Sequence, residues 1–181
     1  TILDSTLSIG DEFLMRITLG KDFRPSYTSR FPASLIETPL DWEDLVLEDS
    51  IRDEIKIIDT WLKHKEEIAN SKLLEKKINK GYKCLFYGTP GTGKTLTASL
   101  LGKKNKLDVY RVDLSQVVSK YIGETEKNLG SIFDVAENKN WILFFDEAES
   151  LFSKRTAVSD SKDKYANQET AYLLQRVENY K

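Results

Sequence analysis

Residues 88–95 read Gly-Thr-Pro-Gly-Thr-Gly-Lys-Thr, and no other stretch of the chain restricts its possible folds as sharply. Gly88, Gly91 and Gly93 let the backbone turn tightly with its N–H groups aimed inward. Ahead of the turn, Cys84-Leu85-Phe86-Tyr87 is a short apolar run that predicts a buried parallel strand, and behind it Leu96 to Lys104 continue as a helix. Strand, glycine turn and helix in that order place the inward N–H donors and the positive helix end around polyphosphate oxygens. Gly88, Thr89, Pro90, Gly91, Thr92, Gly93, Lys94, Thr95 and Leu96 are therefore the predicted contacts of a nucleoside triphosphate such as ATP. Lys94 would reach the β- and γ-phosphates, and the Thr95 hydroxyl would be a Mg²⁺ ligand.

Composition narrows the class around that turn. The chain has 181 residues, 40% hydrophobic and 31% charged, which fits a soluble globular domain and excludes disordered and collagen-like chains. No apolar run approaches the ~18 residues of a membrane span, and the N-terminus lacks the basic and apolar regions of a signal peptide. No membrane contact is expected, and the cytoplasm is the expected location. Cys84 is the single cysteine, so no intramolecular disulfide can form, and its apolar run predicts a small buried hydrophobe. His64, the single histidine, sits in a Lys/Glu-rich helical stretch where solvation is expected, which leaves too few ligands for zinc. A net charge of −2 argues against general nucleic-acid affinity.

Before the turn, Phe13, Leu14 and Ile17 at helical spacing predict a short helix, and Pro25, Pro32 and Pro39 an irregular linker. Residues 1–40 thus read as a linker or the end of an upstream domain, and 41–181 as the nucleotide-binding core. Asp41 to Leu47 should lie against that core. Ser50 with Asp53 suggests a capping box, and Ile51, Ile55, Ile58 and Leu62 mark an amphipathic helix ending near Asn70. Ser71 to Lys80 reads as an exposed helix or a hairpin, stopped by Gly81. After the turn, Asp108 to Val112 predicts a strand, completing a right-handed strand-helix-strand unit. A helix from about Thr125 carries Leu129, Ile132, Phe133 and Ala136 on its apolar face. Residues 153–164 read as an exposed loop, and a last helix runs from Tyr165 with Leu173, Leu174 and Val177 inward.

Trp141 to Phe145 is the most hydrophobic run and should be a strand buried on both faces. It ends in Asp146-Glu147, at the edge of an open α/β sheet where ligands bind. There Asp146 can hold Mg²⁺ through its water shell and Glu147 can polarise an attacking water.

The phosphate turn, the strand ending Asp146-Glu147-Ala148-Glu149, their separation and the intervening Tyr121-Ile122-Gly123-Glu124 together resemble the classical AAA branch of the AAA+ ATPases. The likeness covers about residues 40–181. It implies an α/β P-loop NTPase fold of three layers with a parallel sheet, here an incomplete AAA+ large subdomain. It also implies an oligomeric ring, most often a hexamer of identical chains, that spends ATP on pulling or remodelling a protein substrate. Tyr121, Ile122 and Gly123 align with the pore loop that grips the substrate; a core tyrosine ahead of a helix is the plain alternative for Tyr121. Residues 153–164 fall at a second pore loop, and Asp44 to Leu47 at the adenine contact, although the glycine pair usual after Asp44 is absent.

The chain starts at Thr1 and stops at Lys181 within a helical pattern, so an excerpt of a longer protein is expected. In family order the next strand, with its polar sensor, then the arginine finger and the helical lid, lie beyond Lys181. ATP binding without efficient turnover is therefore expected of these residues alone. Two other readings stay open: a nucleotide-gated assembly module with incidental hydrolysis, and a nucleic-acid remodeller, against which the acidic balance weighs.

Overall fold

The computed structural model describes residues 17–18, 24–29, 31–71, 81–117, 123–137, 139–149 and 161–180. Phe13, Leu14, residues 72–80, Tyr121, Ile122 and residues 153–160 lie outside the described residues. The sheet has three strands in the order β1 (Ser34–Leu35), β2 (Asp108–Asp113) and β3 (Trp141–Asp146). β2 and β3 are parallel, with Asp113 opposite Asp146, and β1 adds antiparallel, with Ser34 opposite Arg111. The helices are α1 (Asp49–Asn70), α2 (Lys94–Asn105), the single turn α3 (Leu114–Val117), α4 (Glu124–Ala136) and α5 (Ser161–Asn179).

Strand alternation explains the layers. Tyr110, Val112, Trp141, Leu143 and Phe145 share one face and pack with Leu129, Ile132 and Phe133 of α4 and Leu173 of α5. Val109 and Ile142 occupy the other face, which α2 and α1 cover: Ile142 packs with Ile55, Ile58 and Leu101. The approach of α2 to β2 depends on Gly102, where a Cβ would lie 2.2 Å from Val109 Cγ2. Helices therefore cover both faces of the sheet, the three-layer arrangement expected from the sequence.

Asp59 fastens α1 to α2. Its carboxylate pairs with Lys63 at 2.8 Å and Lys104 at 3.1 Å and accepts from Asn105 Nδ2 at 3.0 Å. Burial pushes its pKa up, but the bonds from Lys63, Asn105 and Lys104 outweigh that and hold it below the usual carboxylate value. The segment before α1 also lies against the core, as the sequence suggests: Trp42 and Leu47 pack on the Ile55–Ile58–Leu101 cluster, and Lys103 pairs with Asp41 at 2.8 Å.

Several expectations are corrected. The run 84–87 forms no strand; Leu85 is 78% and Tyr87 89% exposed, and Cys84 is exposed rather than buried. β3 is half-buried throughout, not buried on both faces. The two findings share a cause: among the described residues no strand pairs with the free edge of β3, so neither it nor the run 84–87 is enclosed. The stretch 31–35 is not an irregular linker, because Phe31 and Ala33 are buried in the core beside β1. The Ser50–Asp53 capping box does not form: α1 starts two residues early, with Glu48 rather than Ser50 at the cap, and Asp53 takes Lys56 at 2.7 Å. Ile51 is exposed on that helix. Finally, α5 starts at Ser161, so residues 161–164, expected in the loop, are helical.

Candidate functional site

The phosphate turn folds on its glycines. Gly88, Gly91 and Gly93 have φ of 144°, 81° and 87°, all in the region that L side chains avoid. Gly93 caps α2, so the first N–H groups of that helix face the turn. Lys94 bends back over the loop, its Nζ donating to the carbonyls of Gly88 and Thr89 at 2.9 Å each. The Thr92 hydroxyl donates to the Thr89 carbonyl at 2.9 Å and braces the exposed turn. Thr89, Pro90 and Gly91 are exposed, whereas Gly93, Lys94, Thr95 and Leu96 are half-buried.

The direction of α2 fixes where this turn lies. Gly102 meets Val109, near the start of β2. Lys94 is eight residues earlier, about 12 Å along the helix, and the end of β2 is four residues later, about 13 Å along the strand. The helix packs antiparallel to the strand in this crossover, so the phosphate turn and the carboxyl ends of β2 and β3 share one edge of the sheet.

At that edge Asp146 is 26% exposed by side chain. Its Oδ1 accepts from the Glu147 N–H at 3.0 Å, and its Oδ2 pairs with a guanidinium nitrogen of Arg111 at 2.9 Å. Glu147 is exposed and has a left-handed φ of 54°, a backbone state that costs a non-glycine residue about 1 kcal/mol or more. Next to Asp146, Asp113 caps α3, its Oδ1 accepting from Ser115 Oγ at 2.6 Å and its Oδ2 from Gln116 Nε2 at 2.9 Å. Leu45 lies over Gly93, and its neighbour Val46 is 94% exposed.

The structure thus brings Lys94 together with Gly88 and Thr89, and Asp146 with Glu147. Tyr121 and Ile122 are outside the described residues; Gly123 is exposed, with φ 78°, and caps α4. Sequence reasoning overlooked Arg111, taken only as a strand residue. Its signal was present: a cation within a strand, on the β2 face shared by Val109 and Asp113.

A half-open α/β sheet with a glycine turn at one helix end and an Asp-Glu pair at the same strand edge defines a nucleotide-binding protein of the P-loop class. The family model for the ATPase family associated with various cellular activities (AAA) matches residues 84–181. This chain belongs to the AAA family. It is similar to the peroxisomal ATPase PEX6 of Debaryomyces hansenii, 38% identical over 122 residues that make up 66% of this chain and 10% of that protein. The Arabidopsis thaliana PEX6 is 31% identical over 159 residues, 83% of this chain and 16% of its own length. Among solved structures, the FIGL-1 AAA domain matches 81% of this chain and 45% of its own, with a TM-score of 0.57 and 21% identity, a likeness of fold. The chain spans about a tenth of the first of these curated relatives.

Proposed function

We propose that this chain is the ATP-binding and hydrolysing segment of a protein-remodelling AAA machine. What supports the reading is the shared sheet edge: the phosphate turn precedes a helix that Gly93 caps and whose start lies toward the strand ends, and the Asp146-Glu147 pair stands at the end of β3. In this reading the N–H groups of 88–95 and the Lys94 ammonium bind the triphosphate, with Leu96 beside the base or sugar. The donor set suits Mg²⁺, which keeps most of its waters and takes phosphate oxygens; one hydroxyl, from Thr95, and one carboxylate, from Asp146, suffice. When bound, the ion offsets charge on the phosphates. Glu147 orients and polarises the attacking water, and its strained backbone holds the carboxylate out from the strand end.

The family membership supports the coarser part of this reading, and AAA proteins generally work as oligomeric rings on protein substrates. We extend that to a homo-oligomeric, hexameric ring gripping protein through Tyr121, Ile122 and Gly123, and to a cytoplasmic setting without nucleic acid or membrane. No described helix is long and apolar enough to cross a membrane. We take 41–181 as the body of the nucleotide-binding core, joined by Phe31 to Leu35, which pack in that core and pair with β2, and the residues before them as a linker or the end of an upstream domain.

Glu147→Gln in the full-length protein tests the assignment. ATP binding should persist while hydrolysis falls at least about 100-fold, the scale for loss of a positioned base. A variant that hydrolyses normally contradicts the role of Glu147. If partner binding strengthens while the ATPase rate of the unaltered protein proves negligible, the gated-module reading replaces the motor.

A further inference from the structure

We propose that Arg111 is a positioning residue for the metal site: its guanidinium holds the Asp146 carboxylate in the orientation that receives the Mg²⁺ water shell. The proposal rests on the reading of Asp146 given above. Arg111 sits on β2 opposite Phe144, two residues from the strand end, and projects on the same sheet face as Asp146. Its terminal nitrogen meets Asp146 Oδ2 at 2.9 Å, while its Nε is buried without a hydrogen bond. The Glu147 N–H takes Oδ1 at 3.0 Å. Each oxygen of Asp146 is thereby anchored once, which fixes the carboxylate plane and leaves each oxygen a lone pair for a metal-bound water.

The direction of the grip matters. Phe86, which leads into the phosphate turn, and Ile142 of β3 pack against the same Ile55–Ile58–Leu101 cluster. Arg111 belongs to the neighbouring strand β2 and reaches Asp146 from that side. The pair is half-buried, with side chains 40% and 26% accessible. A cation at this place in the strand is better explained by the carboxylate it orients. Groups that hydrogen-bond a metal-binding carboxylate usually change metal affinity by about 10- to 100-fold when removed.

The test is equilibrium binding of a fluorescent ATP analogue to the full-length protein, in EDTA and across a Mg²⁺ titration, for Arg111→Ala, Arg111→Lys, Asp146→Asn and the double variant. Metal-free binding should be unchanged in Arg111→Ala, which also shows that the variant folds. Its half-saturating Mg²⁺ concentration should rise about tenfold or more. Arg111→Lys, which keeps the charge without the planar fork, should fall between. In the Asp146→Asn background, Arg111→Ala should add nothing. An unchanged or tighter Mg²⁺ response in Arg111→Ala, or a full additional loss in the double variant, overturns the proposal. Asp146→Asn with normal Mg²⁺ dependence overturns the reading of Asp146 beneath it, and the proposal falls with that reading. If Arg111→Ala does not fold, a wild-type Mg²⁺ response in Arg111→Lys together with Arg111→Gln overturns the proposal equally well.

Discussion

Gly93 is the residue at which conformation and packing are set together. Its φ of 87° excludes a side chain at low cost, and a Cβ there would sit 2.7 Å from Leu45 Cδ1. Gly93→Ala should therefore destabilise the chain by about 1–2 kcal/mol through backbone strain, seen as a lower denaturation midpoint. Adding Leu45→Ala should relieve the collision but leave the backbone part; complete recovery would show that strain is absent. The turn was legible because a tight turn needs glycine at fixed spacing, and Gly88, Gly91 and Gly93 all take positive φ; the place of Asp146 was legible because the apolar run before it ends there, as β3 does. Arg111 showed in the sequence only as a cation within a strand; its partner was not legible, since an ion pair between neighbouring strands depends on register, and register is fixed only once β2 and β3 align.

Among the elements, β2 carries the clearest energetic test. Tyr110 is fully buried, lies 4.2 Å from the Trp141 ring and 5.5 Å from Phe31 by ring centres, and its hydroxyl has no hydrogen-bond partner among the described residues. Burial, helped by the Asp108 charge and opposed by Arg24, pushes its pKa up to about 12. The folded state thus holds the phenolic proton more tightly than the unfolded chain, whose tyrosine titrates near 10. Stability from this group is intact below pH ~10 and should fall by up to about 2–3 kcal/mol as pH rises toward 12. Tyr110→Phe should be neutral or stabilising near pH 7 and should remove part of that alkaline loss, as measured by urea denaturation at pH 8 and 11. A Phe variant with the same alkaline sensitivity would assign the loss elsewhere, for instance to Tyr180, also raised to about 12 by burial. Helical periodicity locates α1 and α4, and strand-forming or apolar runs locate β2 and β3, whereas α2 has no regular apolar face and follows from the glycine turn ahead of it. Periodicity missed β1, whose two residues are too short to show a period and are ordered by the neighbour β2.

At the scale of the molecule, the sheet is closed on one side by β1 and open along β3. The run 82–87 forms no ladder with that open edge, which explains why a sequence rule for buried parallel strands overestimated burial in both segments. A rule of that kind presumes neighbours on both edges, and the edge strand here has one. A strand supplied to β3 in the full-length protein should protect the amides of Leu143 and Phe145 from hydrogen exchange relative to the 181-residue chain; equal protection would show that the edge is already satisfied.

The central claim is that the phosphate turn binds triphosphate through Lys94. Calorimetric titration of Mg·ATP into this chain and into Lys94→Ala tests it most directly. Saturable binding at one site, weakened at least about 100-fold by Lys94→Ala, is the predicted result, on the scale of a lost charge-assisted contact to phosphate. Equal ATP affinity in the two proteins, or no binding to either, would contradict it.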